Sequence, residues 1–235
     1  MFLFLKLVLA HLIADFVLQF EELYQLKVRS FLGHFAHALI HGIISLALLF
    51  PYLNEPVIWA FAAGIVVIHL TQDLIKYFFT QKNPANTFFY FMADQACHIL
   101  VLSAIFLLPI SHEVRGFPEI PLLDTLYKNN FWTLYAIFFI LLTFAGSYIL
   151  NAFTKSFILG ESPVFLIRSQ EMFHAILERS LIAWLLLANA SLFAVAVVPF
   201  VGLFRLPFKL LRSWKAFLLS ASYAVLIVLL FWKIF

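Results

Sequence analysis

The feature that most limits how this chain can fold is a succession of apolar runs, each near the length a helix needs to cross a bilayer, about 20 residues. Seven can be read: Phe2–Phe20, Phe35–Phe50, Val57–Phe79, Phe88–Leu108, Phe131–Leu150, Leu181–Phe204 and Ala216–Phe235. They are continuous rather than alternating, which favours helices over barrel strands. Pro51 and Pro56 bracket the turn after the second run, Asn83-Pro84 precedes the fourth, and Pro109 closes it. Composition agrees, with 64% of 235 residues hydrophobic and 11% charged. A soluble domain averages about 45–50% and about 25%, and a chain this poor in polar groups cannot clothe a soluble surface. A soluble enzyme, a disordered chain and a disulfide-bonded secreted scaffold are therefore excluded, and Cys97, the single cysteine, has no internal bridging partner. The expected class is an all-α integral membrane protein of about seven transmembrane helices, the first four bundled around a polar site.

The net charge of +3 reads as membrane-edge anchors and topology signals rather than a nucleic-acid surface. Basic residues divide almost evenly between the two faces, so orientation stays open. Phe2–Phe20 lacks a basic start and a small-residue cleavage site, and it carries His11 and Asp15, so it is expected to remain in the mature protein. The least apolar stretch, His112–Asn130, separates a four-helix core over residues 1–110 from three further helices over 111–235. Both are read as parts of one domain, with Arg205–Lys215 as an interfacial segment.

Ionisable groups inside apolar helices are costly and face the bundle interior. The chain has four aspartates, and three stand four residues from a histidine: His11/Asp15, His69/Asp73 and Asp94/His98. Chance gives a particular Asp such a neighbour about 7% of the time, so three in four is roughly a one-in-a-thousand coincidence. The second run adds His37/His41, with His34 a turn earlier. A spacing of four places both groups on one helix face, as in zinc-binding helices and four-helix di-metal cores. Depth agrees too. Helices that alternate in direction bring His11, His41, His69 and His98 to one level, and Asp15, His37, Asp73 and Asp94 to a level one turn nearer the opposite face from the N-terminus.

Imidazole and carboxylate together suit a divalent metal, zinc first, then iron or manganese, in one or two ions; copper would favour the sulfur ligands this chain nearly lacks. All eight residues of the two levels are candidate ligands, and Asp15, Asp73, Asp94 and His37 are candidates for the base that activates water. Gln19, Lys76 and Gln95 follow the same faces and are candidates to hold ligands or substrate. The expected activity is metal-dependent hydrolysis of a lipid-linked or amphiphilic substrate reached from the bilayer. The alternatives are an ion or proton transporter using the same groups, or a structural membrane subunit fixed by a His–Asp network. Glu171, His174 and Glu178 share a helical face and form a weaker second candidate, while Cys97 reads as a small packed side chain.

The stretches His11–Gln19, His37/His41, His69–Lys76 and Asp94–His98, in this order and spacing, resemble the bacterial membrane-protein family known as domain of unknown function 3307. The resemblance covers roughly the first 110 residues, implies a bacterial cytoplasmic membrane, and brings no reaction with it. Leu177-Glu178-Arg179 resembles an element of longer relatives, whereas Val198–Phe204 departs from the family pattern. A more distant likeness, to membrane-bound metal-dependent hydrolases with intramembrane His and Asp pairs, is analogy alone.

Overall fold

In a computed structural model, the structure describes residues 1–159, 169–188 and 214–234. Their regular structure is helical, joined by short loops, with no strand among the described residues. The chain forms two compact units, Met1–Ile137 and Phe138–Phe235.

In the first unit α1 (Phe2–Leu12) runs on as a π-helical turn, Ile13–Val17. The chain then bends by 85° into α2 (Glu21–Arg29). The helix of the first apolar run therefore ends at Val17, three residues short of the expected Phe20. Glu21, Glu22, Gln25, Lys27 and Arg29 make α2 too polar to prolong it. The chain continues through α3 (Phe31–Leu48), α4 (Pro56–Lys82), α5 (Thr87–Ser103) and the short α6 (Pro121–Lys128). Pro56 and Pro121 stand in the first turns of α4 and α6, where the missing N–H costs nothing. Ser30 caps α3, its Oγ accepting from Gly33 N at 3.2 Å. A Cβ at Gly33 would run into the backbone of Leu26 and Lys27, so glycine is what lets α2 fold back on α3.

The helices are amphipathic in the sense a membrane demands, polar inward and apolar outward. On α3 the buried side holds His34, His37, Ala38, His41, Gly42 and Ser45, while Phe31, Leu32, Leu39 and Ile43 are exposed. On α4 the buried stripe is Ile58, Ala62, Ile65, His69 and Asp73; on α5 it is Thr87, Phe91, Asp94, His98 and Leu102. Steps of three and four residues keep each stripe on one face. One end of the bundle is a dry core of Leu3, Leu7, Leu49, Tyr52, Ile58 and Ile105. Lys6, expected at the membrane edge, is buried there instead, donating to Tyr127 O at 2.7 Å and Thr133 Oγ1 at 2.6 Å.

In the second unit the helix begun as α7 (Asn130–Ile140) passes through a π turn, Leu141–Ala145, into α8 (Gly146–Phe153). It is joined by α9 (Ser169–Leu187) and α10 (Trp214–Phe231) around Phe138, Leu142, Ile182, Ala183, Ala224, Ile227 and Val228. Among the described residues, four helices are long and apolar enough to cross a membrane, or five if the bent pair is one span: Phe31–Leu48, Pro56–Lys82, Pro84–Leu107 and Asn130–Phe157 are the four. Most of the expected Leu181–Phe204 run, the Val198–Phe204 departure and nearly all of Arg205–Lys215 lie outside the described residues.

Candidate metal centre

Asp15 sits in the π turn that ends α1, where the extra residue per turn re-aims its carboxylate between the other helices. His37 Nε2 and His41 Nε2, one turn apart on α3, donate to the same oxygen, Asp15 Oδ1, at 2.9 and 3.0 Å. His69 Nε2 on α4 lies 3.8 Å from that oxygen. The other oxygen accepts from Gln95 Nε2 at 2.8 Å, and Gln95 Oε1 in turn accepts from His11 Nε2 at 3.3 Å. Three ring nitrogens from two helices thus converge on one carboxylate oxygen of a third.

Beside Asp15 the imidazoles of four helices close into a ring. Centroids lie 3.6 Å apart for His41–His69, 4.1 Å for His69–His98, 5.0 Å for His98–His11 and 5.2 Å for His11–His41. Asp73 and Asp94 stand on the adjoining side, bridged by Lys76, whose Nζ lies 2.7 Å from Asp73 Oδ1 and 2.6 Å from Asp94 Oδ2. Lys27 reaches Asp73 Oδ2 at 2.7 Å from α2. His98 Nε2 lies 3.2 Å from Asp94 Oδ1.

Two sets of these groups have ligand atoms close enough to share a cation: Asp15, His37, His41 and His69, and His69, Asp73 and His98, each set within 4.8 Å. All six residues are buried. His69 Nε2 and His98 Nε2 have no hydrogen-bond partner among the described residues, which is costly for a buried polar atom. Both histidines line a cavity of about 10 Å³, with Ser45 and Gln72 among the other walls. Nitrogen and oxygen donors, orphaned ring nitrogens and a polar cavity together fit a divalent cation. Its binding would replace the protons that His37 and His41 now point at Asp15.

Residues 3–116 match the family described as "Protein of unknown function (DUF3307)". This part of the chain belongs to that family. Every residue of the centre, from His11 to His98, lies inside the DUF3307 region. No curated protein and no solved structure matches the chain, so the hydrolase likeness stands on the His and Asp pattern alone.

The DUF3307 region brings together His11, Asp15, His37, His41, His69, Asp73, Asp94, His98, Lys76 and Gln95. Gln19 is half-buried in the bend that follows the π turn. Three participants escaped the sequence reading. Lys27 passed for an edge charge, because its role needs α2 to fold back. Gln72 and Ser45 gave no signal beyond a helical step of three or four from His69 and His41. Cys97 is exposed rather than packed, on the outward side of α5. Of the weaker candidate group, Glu178 is buried and His174 half-buried on α9, while the Glu171 side chain lies outside the described residues.

Proposed function

We propose that the protein is a metal-dependent hydrolase of a bacterial cytoplasmic membrane, with about seven spans, acting on a lipid-linked or amphiphilic substrate. The observation that carries this reading is the convergence of His37, His41 and His69 Nε2 on Asp15 Oδ1 inside helices whose outer faces are apolar. Zinc suits the donor set best, with iron or manganese next. Asp15, His37, His41 and His69 hold the cation, which supplies Lewis acidity when bound.

The remaining groups are arranged for proton and charge handling. Gln95 fixes the Asp15 carboxylate by donating to Oδ2, which leaves Oδ1 for the cation side. Asp94 lies beside His98 and can take a proton from an attacking water, the general-base role. Elemental analysis of full-length protein purified in detergent tests the reading. Near-stoichiometric zinc, iron or manganese is expected, and none of the three would end it.

Proton or ion transport is the second reading, favoured by the stacked imidazoles running from His41 through His69 to His98. It predicts flux in proteoliposomes that His69→Ala abolishes. Hydrolysis without flux decides for the first reading.

A further inference from the structure

The three carboxylates of the centre do not face histidine alone. Lys27 and Lys76 both press ammonium groups on Asp73, one on each oxygen, and Lys76 also holds Asp94. With neutral imidazoles, three carboxylates and two ammonium groups leave one negative charge in a buried site. One divalent ion with one hydroxide balances that charge. A second divalent ion would leave excess positive charge without a buried counter-ion, which is strongly disfavoured.

The geometry makes the same point. A second ion would draw on His69, Asp73 and His98. The Lys76 ammonium already spans Asp73 on α4 and Asp94 on α5 at 2.7 and 2.6 Å, the place between two carboxylates that a bridging cation would take. Its side chain is 24% exposed while both aspartates are buried, so the stem runs in from the edge to deliver a charge. Asp73, with both oxygens occupied by lysines, is the weakest ligand of the set. Asp15 has no lysine on it among the described ion pairs, and its partners are imidazoles and the Gln95 amide.

We propose that Lys76 is a built-in cation in the second-metal position, so that the centre binds a single divalent ion on Asp15, His37, His41 and His69. This rests on the metal reading above and adds the count of ions and the reason for it. In two-metal hydrolases the second ion helps clamp the reacting oxygens; here a fixed ammonium supplies that charge.

The test is zinc stoichiometry of the full-length chain in detergent, stripped with chelator, dialysed against Zn²⁺ and measured by mass spectrometry. Wild type is expected to hold about one ion, Lys76→Arg about one, and Lys76→Met about two, since removing the ammonium opens the Asp73/Asp94 place. Adding Asp94→Asn to Lys76→Met should return the count to about one. Two ions in wild type, or a single ion in Lys76→Met, would overturn the proposal while leaving the metal reading intact. No zinc in wild type defeats the metal reading itself, and this proposal with it. Should Lys76→Met fail to fold, Mn²⁺ bound to wild type decides by electron paramagnetic resonance. The hyperfine pattern of an isolated ion is expected, and an exchange-coupled pair would refute the proposal.

Discussion

Both units bury charge, and they do so in opposite ways. In the second, Arg179 on α9 is 1% exposed. Its Nε donates to Leu142 O at 2.5 Å and its Nη2 to Thr143 O at 2.6 Å and to Ser147 Oγ. Those carbonyls belong to the π turn Leu141–Ala145, where the helical ladder is loosened and main-chain oxygens become free to accept. Tyr223 takes the neighbouring Leu141 O at 2.8 Å. In the first unit the same device, the π turn Ile13–Val17, presents a side chain instead of carbonyls, and ring nitrogens around Asp15 have no hydrogen-bond partner among the described residues. One π turn completes a structural knot; the other gathers groups that could hold a metal ion. Binding should therefore reside in the Asp15 cluster and stability in the Arg179 cluster.

The sharpest break between them is metal removal. At free metal about a thousandfold above the dissociation constant, binding stabilises the folded state by about 4 kcal/mol, and chelation should withdraw that amount. Hydrogen exchange followed by mass spectrometry should show α1, α3, α4 and α5 loosening on chelation while α9 and α10 stay unchanged. Asp15→Ala should reproduce the loosening and be blind to chelator; faster exchange in α9 would erase the distinction between the units.

The converse variant is Arg179→Met, which strips the guanidinium from Leu142 O and Ser147 Oγ and leaves Thr143 O with the Ser147 hydroxyl as its donor. A loss of about 3 kcal/mol is expected on chemical denaturation, with zinc content unchanged. Ser147→Ala removes one acceptor of the guanidinium and should cost about 1 kcal/mol. Loss of metal in either variant would contradict the division.

How much of this was legible beforehand follows from the range of each interaction. The spans and the His–Asp pairs were readable because helical periodicity is local: a spacing of four fixes a shared face wherever the helix lies. The shared level of the four pairs followed from alternating direction alone, and the imidazole ring from His11 to His98 agrees with it. What stayed hidden depends on tertiary structure. Neither π turn has a sequence signature: the carbonyls of Leu141–Ala145 are met by Arg179 and Tyr223, and the Asp15 side chain by groups on α3 and α5, all distant along the chain. Lys27 reaches Asp73 only because Gly33 lets α2 lie against α3, and the carboxylates counted without Lys27 and Lys76 accommodate one or two ions. Gln95 stands next to Asp94 in sequence yet serves Asp15, at the end of α1 and three helices removed along the chain. Lys6 and Arg179 passed for edge charges because nothing local marks a basic residue whose partners are main-chain carbonyls.

The smallest effect concerns a charge outside the spans, where neither kind of burial operates. The Asp124 carboxylate on α6 accepts from Lys128 Nζ at 2.8 Å and from Phe117 N at 2.7 Å. A Cβ at Gly116 would meet that carboxylate and the Lys128 stem, so a larger residue there would displace the Asp124 side chain. The Lys128 ammonium, and after it the Phe117 amide, hold the acid below its ordinary value. A depressed folded value means that the contact stabilises α6 fully above the unfolded value, about 3.9, and is lost as pH falls through the lower folded one. Exchange of the α6 amides should therefore quicken on acidification below about pH 4 in wild type. In Asp124→Asn that quickening should be absent. The change should be slight, because Lys128 is 41% exposed and solvent screens the pair. Asp124→Asn should also leave the α3 and α4 amides around His37 and His69 untouched. If acid loosened those amides over the same range and Asp124→Asn prevented it, the surface acid would be coupled to the centre and the contrast between buried and exposed charge would fail.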